Sequence, residues 1–279
     1  MLRKVLLSLA SLAFTQTVFA ESLAEKQLIA KGELHASVSI GYGGIQNPVL
    51  NSDNFTTPIL PNLTYYGERW FFDNFAVGYS LVEQSNFYVD ISGRFNEDGF
   101  FFELDGIDKL FAAGVVSGGL KDTPSRPEDG LTPIERDLSY LAGLSTGYKL
   151  SDSVLLEASL MQDVTGVHDG HEGQLNIFKV FNVDDALFGL ELGATYKNRE
   201  LISYYYTLAA REALVRIPSY DNKSALNYHF KLSYEYPLSE RFSVDVNVKH
   251  TWLDSDLVNN PMISETGYFS GFAGITYHF

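Results

Sequence analysis

The run His168-Asp169-Gly170-His171-Glu172 contains residue types that could bind a metal ion. Imidazole nitrogens and carboxylate oxygens are ligands for divalent ions, and a His-x-x-His spacing can present two imidazoles on one turn. The sequence fixes no further ligand, and Asp169-Gly170 is also typical of a tight turn. We therefore expect a loop turn with no metal and no cofactor, and keep His168, Asp169, His171 and Glu172 as the metal candidates.

A hydrolase site is the second chemistry that the residue types allow. His168, Ser203, Ser219 and Asp221 fall in loops that we predict at one side of the fold, where a nucleophile, a base and an acid could assemble. A triad is defined by its geometry and not by sequence positions. We predict that the protein is not an enzyme, with a lipid-modifying outer-membrane enzyme as the alternative.

Charged residues at alternate positions of apolar segments are predicted to face an enclosed interior. The set comprises the acids Asp90, Glu157, Glu191, Glu235 and Asp245 and the bases Arg94, Lys149, Lys231 and Lys249. These charges nearly cancel, whereas an ion-selective pore concentrates one sign at its constriction. Because an isolated buried charge is costly, we expect the set to form pairs across a closed or nearly closed interior. A small passive channel remains the alternative.

The elements that carry these residues alternate with a period of two. In the last twelve residues, one face carries Phe269, Gly271, Ala273, Ile275, Tyr277 and Phe279, and the other carries mostly small or polar side chains. Strands of this kind are typical of outer-membrane barrels, in which one face contacts lipid. The aromatic end formed by Tyr277 and Phe279 is also the predicted terminal signal for the barrel-assembly machinery.

Alternation of this kind predicts an all-β protein: a transmembrane antiparallel β-barrel of about twelve strands, with ten or fourteen as alternatives. The predicted strands are 34–43, 58–66, 70–82, 87–95, 107–117, 138–149, 153–163, 172–181, 187–196, 225–236, 241–251 and 268–279. The count of twelve requires that 107–117 spans the membrane and that Tyr204-Tyr205-Tyr206 lies in a loop. An even number places both termini in the periplasm.

This topology separates short inner turns from longer outer loops, as expected for such barrels. The predicted inner turns are 67–69, 96–106, 150–152, 182–186 and 237–240, and the predicted outer loops are 44–57, 83–86, 118–137, 164–171, 197–224 and 252–267. A periplasmic partner would have to contact the 21–33 tail or the 96–106 turn. Phe100, Phe101 and Phe102 form either an exposed patch for such a partner or a buried cluster.

The start of the chain has the layout of a cleavable signal peptide. Arg3 and Lys4 precede a short apolar run, and Val18-Phe19-Ala20 forms a cleavage site of the expected type. We predict a signal peptide at 1–20, a periplasmic tail at 21–33 and an outer-membrane barrel at 34–279. Removal of the two cations would change the net charge from −15 to −17.

Composition restricts the partners further. The absence of cysteine excludes a disulfide scaffold and thiolate chemistry, and the acidic balance argues against nucleic acid. Much of the charge falls on predicted loops, at Asp53, Glu128, Asp129, Asp221, Asp254 and Asp256. Acidic outer loops are compatible with divalent cations that bridge to lipopolysaccharide and with attraction of cationic solutes, and also with a plain solvated surface. Outer-membrane lipid and lipopolysaccharide are the expected surroundings.

Several segments resemble the MipA/OmpV family of outer-membrane proteins, also called MltA-interacting or scaffolding proteins. The resemblance rests on residues 163–170, which are close to the family's Asp-Val-Ser-Gly-x-His-Asp-Gly motif but have threonine at 165. It also rests on a Tyr-Tyr…Glu-Ala…Pro-x-Tyr run at 205–220, a Leu-x-x-Asp…Pro segment at 253–261 and the C-terminal strand. The matching residues are Asp163, Gly166, His168, Asp169, Gly170, Tyr205, Tyr206, Glu212, Pro218, Tyr220, Asp254 and Pro261. Thr207-Leu208 replaces Gly-Val, and Asn260 stands where serine is usual.

The resemblance implies an outer-membrane barrel. It also implies a possible role as a scaffold that brings a murein lytic transglycosylase and a murein synthase together in the periplasm.

Overall fold

The computed structural model of the protein describes residues 32–50, 52–102, 134–208, 212 and 220–279. Helices within these ranges are short: a 3-10 helix at Glu97–Phe101, α1 at Arg199–Tyr206 and α2 at Ser255–Val258. None of them is long and apolar enough to cross a membrane. The predicted signal peptide and most of the predicted tail lie outside the described residues.

Strands make up most of the described chain, because apolar and polar side chains alternate along each segment. The twelve strands are β1 (Leu34–Ile45), β2 (Phe55–Tyr66), β3 (Trp70–Asp73), β4 (Ala76–Glu83), β5 (Phe87–Phe95), β6 (Tyr140–Ser151), β7 (Val154–Asp163), β8 (His171–Val183), β9 (Ala186–Lys197), β10 (Ala225–Pro237), β11 (Phe242–Trp252) and β12 (Gly267–His278).

The strands form one closed antiparallel barrel. Each strand pairs with its neighbours in sequence, and β1 pairs with β12 to complete the ring. At this closure Ser39 lies directly opposite Thr276, with their hydroxyl oxygens 2.7 Å apart. The predicted fold class, an antiparallel barrel of twelve strands, is confirmed.

The two ends of the barrel differ. The end at which β1 begins and β12 ends, here called the terminal end, has only short connections, at 67–69, 84–86, 152–153, 184–185 and 238–241. The opposite end, here called the loop end, has the connections 46–54, 74–75, 96–139, 164–170, 198–224 and 253–266. Asn74 and Asp184 take left-handed backbone conformations in two-residue turns, which these residue types tolerate.

The strand predicted at 70–82 is wrong, because this segment forms the short hairpin of β3 and β4. Asp73 pairs with Ala76, and the left-handed Asn74 turns the chain between them. The predicted strand 107–117 lies outside the described residues. β5 pairs directly with β6, from Phe87 opposite Tyr148 to Phe95 opposite Tyr140.

These two differences correct the predicted loop positions. The additional hairpin reverses the direction of the next strand, so 84–86 lies at the terminal end and not among the outer loops. For the same reason residues 96–102 lie at the loop end and not in an inner turn. The tail at 21–33 is thus the only long segment predicted for the terminal end.

The outer face of the barrel is apolar. Outward-pointing side chains that are 37–65 % exposed include Ile40, Leu144, Leu160, Leu175, Leu192, Tyr228, Phe230, Val248, Phe269 and Ile275. Phe242 and Trp252 mark the two ends of β11, ten residues apart. At roughly 3.3 Å per residue and a tilt of about 40°, they lie about 25 Å apart along the barrel axis. That height matches the apolar band of an outer-membrane barrel.

Candidate functional site

A short acidic segment enters the loop end of the barrel. The Asn96 side chain accepts a hydrogen bond from the backbone N–H of Asp98 at 2.8 Å and caps the 3-10 helix. Asp98 is 1 % exposed and accepts bonds of 2.7 and 2.6 Å from Nζ of Lys197 on β9. Tyr206 on α1 donates a third bond to this carboxylate at 2.7 Å. We call residues 96–102 the plug.

The second acid of the plug contacts a deeper part of the wall. Nζ of Lys249 donates to both carboxylate oxygens of Glu97, at 2.9 and 3.1 Å. Lys249 lies directly opposite Lys231, which lies directly opposite Glu191. Like charges on facing positions destabilise a sheet, so Glu97 and Glu191 together offset the two lysines. The positive charge of Lys249 holds the pKa of Glu97 below its usual range.

A polar cavity, partly open to solvent, lies beside the plug. Its titratable lining residues are Arg94, Glu97, Glu172, Lys197, His229 and Lys249, with Tyr268 beside them. Arg94 forms an ion pair with Glu172, and Nε2 of His229 lies 2.7 Å from Oε1 of Glu191. We call this cavity the chamber.

A hydrophobic core covers the plug at the loop end. It comprises Val49, Phe101, Phe102, Ile134, Leu201, Ile202, Tyr205, Tyr206, Ala225, Leu257, Met262, Ile263 and Tyr268. Phe101 contacts Tyr268 edge to face at 5.1 Å, and Phe102 stacks on Tyr205 at 5.8 Å. Burial raises the pKa of Tyr205 and of Tyr206. We call this set the cap core.

The cap core decides between the two predictions for the phenylalanines of the plug. Phe101 and Phe102 are 4 % and 7 % exposed, and Phe100 packs against Leu138. They belong to a buried cluster, so the prediction of an exposed docking patch at 100–102 is wrong. The sequence could not show this, because apolar residues next to a turn are equally compatible with lipid, lumen or core.

Asp163 at the end of β7 organises the 164–170 loop. Its Oδ1 accepts bonds from the backbone N–H and the hydroxyl of Thr165, at 2.8 and 2.5 Å. Its Oδ2 accepts from the backbone N–H groups of His168 and Asp169, at 2.7 and 3.1 Å. Gly166 and Asp169 have left-handed backbones, with φ of 71° and 56°. The family motif at 163–170 is therefore a loop folded around one carboxylate.

His168 connects this loop to α1 through a chain of hydrogen bonds. Its Nδ1 accepts from the backbone N–H of Gly170 at 2.9 Å, so the proton of the neutral ring is on Nε2. Nε2 lies 3.0 Å from Oγ of Ser139, which lies 3.1 Å from the Tyr205 hydroxyl. Tyr205 donates to the carbonyl of Asp137 at 3.2 Å. Burial lowers the pKa of His168.

Gly170 is required by the close approach of α1. A Cβ at this position would lie 2.7 Å from Oδ1 of Asn198, from Nδ1 of His168 and from the backbone nitrogen of Leu201. Asn198 caps α1 by accepting from Leu201 N–H at 3.2 Å, and it also accepts from the backbone N–H of His171 at 2.9 Å. The end of the motif loop and the start of α1 are thus one structure.

A buried ion pair joins the connection before β6 to the connection after α1. Arg136 donates to both oxygens of Glu212, at 2.7 and 3.1 Å, with both side chains 8 % exposed. It also donates to the carbonyls of Tyr204 and Thr207, at 3.0 and 2.9 Å, and lies 5.7 Å from the ring centre of Phe102. The motif residue Glu212 therefore balances a structural arginine.

The remaining motif residues also support the cap. Asn260 donates to the carbonyl of Tyr206 at 2.8 Å and to Asn222 at 2.7 Å, which explains an amide at this position. Asp254 caps α2 by accepting from the backbone N–H of Asp256 at 2.8 Å, and Tyr220 donates to the carbonyl of Asp256 at 2.5 Å. Pro261 follows in an exposed turn. Pro218 lies outside the described residues.

The structure does not bring the four metal candidates together. Both ring nitrogens of His168 have protein neighbours, and Nδ1 of His171 lies 3.1 Å from the Asn198 amide at the surface. Glu172 pairs with Arg94 inside the barrel, and Asp169 is exposed. In the described part of the chain, no group of three or more His, Asp or Glu side chains could hold a metal ion.

The three hydrolase candidates that the structure describes do not form a triad. His168 contacts Ser139 with its protonated nitrogen, which cannot act as a base toward that hydroxyl. Ser203 lies in α1, Asp221 pairs with Arg199 at the surface, and Ser219 is outside the described residues.

Sequence reasoning missed a Gly-x-Ser-x-Gly pattern at 143–147. This pattern lies inside strand β6, where its serine contacts Ser92 at 3.0 Å, and not on a strand-to-helix turn.

The nine charges predicted for the interior are placed as follows. Asp90, Glu191, Glu235 and Asp245 are buried, and Glu157 accepts a hydrogen bond from Tyr88. Within the set, Lys231 forms an ion pair with Glu191 at 3.6 Å. Arg94, Lys149 and Lys249 pair instead with Glu172, Asp152 and Glu97. The ion pairs that stabilise the interior therefore also use acids that the alternation did not select.

Sequence reasoning missed Asp98, Lys197, Arg136 and Ser139. Lys197 could have been found, since it follows the inward period of Glu191, Gly193 and Thr195 along β9. Asp98 could not, because its position depends on a loop that folds back into the barrel.

A closed barrel with an apolar outer face and a polar interior defines the class: this chain is an outer-membrane β-barrel protein. The model of the family described as MltA-interacting protein MipA matches residues 40–279. The chain belongs to this family, and the predicted membership is confirmed.

Two relatives are similar over nearly their whole length. Outer membrane protein Omp26La of Vibrio anguillarum is 20 % identical over 97 % of this chain and 96 % of the relative. Outer membrane protein OmpV of Vibrio cholerae serotype O1 is 20 % identical over 94 % of this chain and 95 % of the relative. Among solved structures, an outer membrane channel from Pseudomonas putida F1 is similar over 95 % of this chain and 100 % of the channel's chain, with 8 % identity and a TM-score of 0.42. The predicted location, the outer membrane, is confirmed.

Proposed function

We propose that this protein is a non-enzymatic scaffold or binding protein of the outer membrane, linked to enzymes that remodel murein. The observation that best supports this role is the occluded loop end. The plug is fastened to the wall by Lys197 and Lys249, and the cap core packs over it. A barrel that passes solutes needs an aqueous path through both ends.

The partner that we propose is a murein lytic transglycosylase, together with a murein synthase. The description of the family names an interaction with MltA. We further propose that the loop end faces the outside and that the terminal end, with both chain termini, faces the periplasm. Residues 1–20 would then be removed as a signal peptide, and residues 21–33 would extend toward the murein layer.

The terminal end gives a partner a small but charged surface. Its turns carry the exposed acids Asp152, Asp184, Asp185 and Glu240. A stable interface buries roughly 800 Å² per partner, which a ring of two- to four-residue turns supplies only in part. We therefore assign the rest of the interface to the 21–33 tail, and expect a basic surface on the partner.

A pull-down with purified transglycosylase tests the proposal. Deletion of 21–33 and the change Asp184→Lys with Asp185→Lys should each weaken capture, because each removes part of the docking surface. Asp221→Lys, at the loop end, is the matched control and should leave capture unchanged. Full capture by both terminal-end variants, or no capture by the wild-type protein, would refute the scaffold.

A small passive channel is the second candidate, supported by the polar interior. Ser37, Ser39, Asn62, Ser92 and Ser145 point into the barrel below the chamber. Discrete conductance steps from pure refolded protein in planar bilayers would favour the channel. Silent bilayers together with transglycosylase capture would favour the scaffold.

A further inference from the structure

We infer that the chamber is an anion-binding site which the carboxylates of the plug occupy, and that it binds a small dianion of the phosphate type once those carboxylates are neutralised. This inference concerns the loop end and goes beyond the proposed docking at the terminal end.

The first observation that supports the inference is the charge of the chamber wall. Three wall bases line the cavity, Arg94, Lys197 and Lys249, against one wall acid, Glu172. Without the plug, the described lining therefore has a surplus of two positive charges. Glu97 and Asp98 supply two negative charges, one to each lysine. The plug thus complements the wall as a doubly charged anion would.

The geometry of the Asp98 carboxylate is that of a bound anion. Three hydrogen bonds of 2.6–2.7 Å reach it, two from Nζ of Lys197 and one from the Tyr206 hydroxyl. Charge-assisted bonds to an ammonium and a hydroxyl are also the means by which proteins hold phosphate oxygens. Both donor groups belong to β9 and α1 and not to the plug, so neither is removed when the plug carboxylate is changed.

The Glu97 carboxylate is bound in a similar way, deeper in the barrel. Nζ of Lys249 donates to both oxygens of Glu97, at 2.9 and 3.1 Å. The neighbouring positive charge of Lys231 is offset by Glu191 at 3.6 Å, with His229 on the other oxygen of that acid. Glu97 is therefore the close counter-charge of Lys249, and Glu191 is a more distant one.

The polar neighbours favour a hydrated oxyanion over an apolar or cationic ligand. Gln174, Thr195, Asn227 and Thr251 supply amide and hydroxyl groups to the same cavity. Its aromatic lining residues are Tyr268 and His229, and none of the lining residues is aliphatic. A cation would meet the surplus of positive wall charge, which disfavours its entry.

The test measures phosphate binding to the full mature protein in detergent. Inorganic phosphate is titrated by calorimetry, and the thermal unfolding midpoint is followed against chloride at equal ionic strength. The variants are Glu97→Gln, Asp98→Asn and the two combined. We expect saturable binding and a raised midpoint in the combined variant, weaker binding in Glu97→Gln, and none in the wild type or in the surface control Glu265→Gln.

A second pair of changes locates the bound anion. Lys197→Met with Lys249→Met, added to the combined variant, should abolish the phosphate response, because the surplus charge is removed. Heat-modifiable electrophoretic mobility checks that each variant is folded. If the combined variant does not fold, phosphate binding by Glu97→Gln alone tests the inference. The Glu97 side chain is 48 % exposed, and its change leaves the contacts of Asp98 intact.

Three results would overturn the inference. They are an absence of phosphate binding in the folded plug variants, equal binding in the wild type, and binding that persists without the two lysines. Binding by sulfate as well as phosphate would support a general dianion site, and binding by phosphate alone would narrow its chemistry.

Discussion

Asp98 and Lys197 are 99 residues apart in the chain, and their charged groups meet inside the loop end with Nζ 2.6 Å from Oδ2. The two side chains are 2 % and 5 % exposed. Removal of one partner from such a pair costs roughly 3–5 kcal/mol, because the other charge remains buried without compensation. This pair therefore fastens the plug to the barrel wall.

Asp98→Asn should lower the stability of the cap by roughly 3 kcal/mol or more. The exposed pair of Arg199 and Asp221, also 2.6 Å apart, gives a matched control, because its side chains are 64 % and 79 % exposed. Asp221→Asn should cost less than about 1 kcal/mol, since water screens exposed ion pairs. Denaturant unfolding, followed by tyrosine fluorescence, measures both. Equal effects of the two variants would contradict a buried plug.

The sequence predicts the barrel well because its signal is local. Alternation along each strand decides which side chains contact lipid, and ten of the twelve predicted segments coincide with observed strands. The hairpin of β3 and β4 was missed because its apolar residues continue through the turn at Asn74 and Phe75. Only the left-handed backbone of Asn74 separates the two strands.

The network of His168 should weaken in acid. Burial lowers the pKa of this residue below the ordinary value of about 6.5, so the unfolded chain takes up a proton first as the pH falls. The stabilisation from neutral His168 is therefore complete above about pH 6.5 and declines below it. Hydrogen-exchange protection of the 164–170 amides, corrected for intrinsic rates, should fall from about pH 7.5 to about pH 5.5.

Two variants distinguish the protonation of His168 from the protonation of other groups. His168→Gln should remove most of the pH dependence of the 164–170 protection, and His171→Gln, an exposed position at the start of β8, should keep it. A pH dependence that survives in His168→Gln would assign the effect to another group.

A charged substitution on the lipid-facing surface should destabilise the barrel more at the middle of the membrane than near its edge. Leu192 lies in the middle of β9 and is 57 % exposed, and Leu238 lies in a terminal-end turn and is 53 % exposed. Leu192→Arg should destabilise the barrel in lipid vesicles by about 2–4 kcal/mol, and Leu238→Arg by about 0–1 kcal/mol. Unfolding by guanidinium measures the difference. Equal costs would contradict the assignment of Leu192 to the hydrocarbon region.

Phe279 should affect assembly more than stability. It is 80 % exposed and contacts Tyr277 edge to face at 5.0 Å, so it adds little packing to the finished barrel. Phe279→Ser should reduce the amount of protein assembled in the outer membrane and leave refolding from denaturant unchanged. Phe242→Ser, which removes another ring from the Tyr277 cluster, is the control. Normal assembly of Phe279→Ser would refute the terminal signal.

The site could be predicted only in part, because its contacts are not local. The contact of Asp163 with Thr165 lies within the motif at 163–170, but the partner of the motif residue Glu212 is Arg136, which comes from a separate loop. The interior charges were selected by alternation alone. Lys249 has its counter-ion in the plug, at Glu97, and no strand period can indicate the position of the plug.

Cross-linking inside the barrel mouth tests the central claim most directly. The chain contains no cysteine, so the paired changes Asp98→Cys and Lys197→Cys introduce the only two thiols. A short bifunctional thiol reagent should link them in whole cells in high yield, and a pairing of Asp98→Cys with Asp221→Cys should not link. Absence of the first cross-link, with ready labelling of position 98 by a bulky membrane-impermeant maleimide, would contradict a plug held within the barrel.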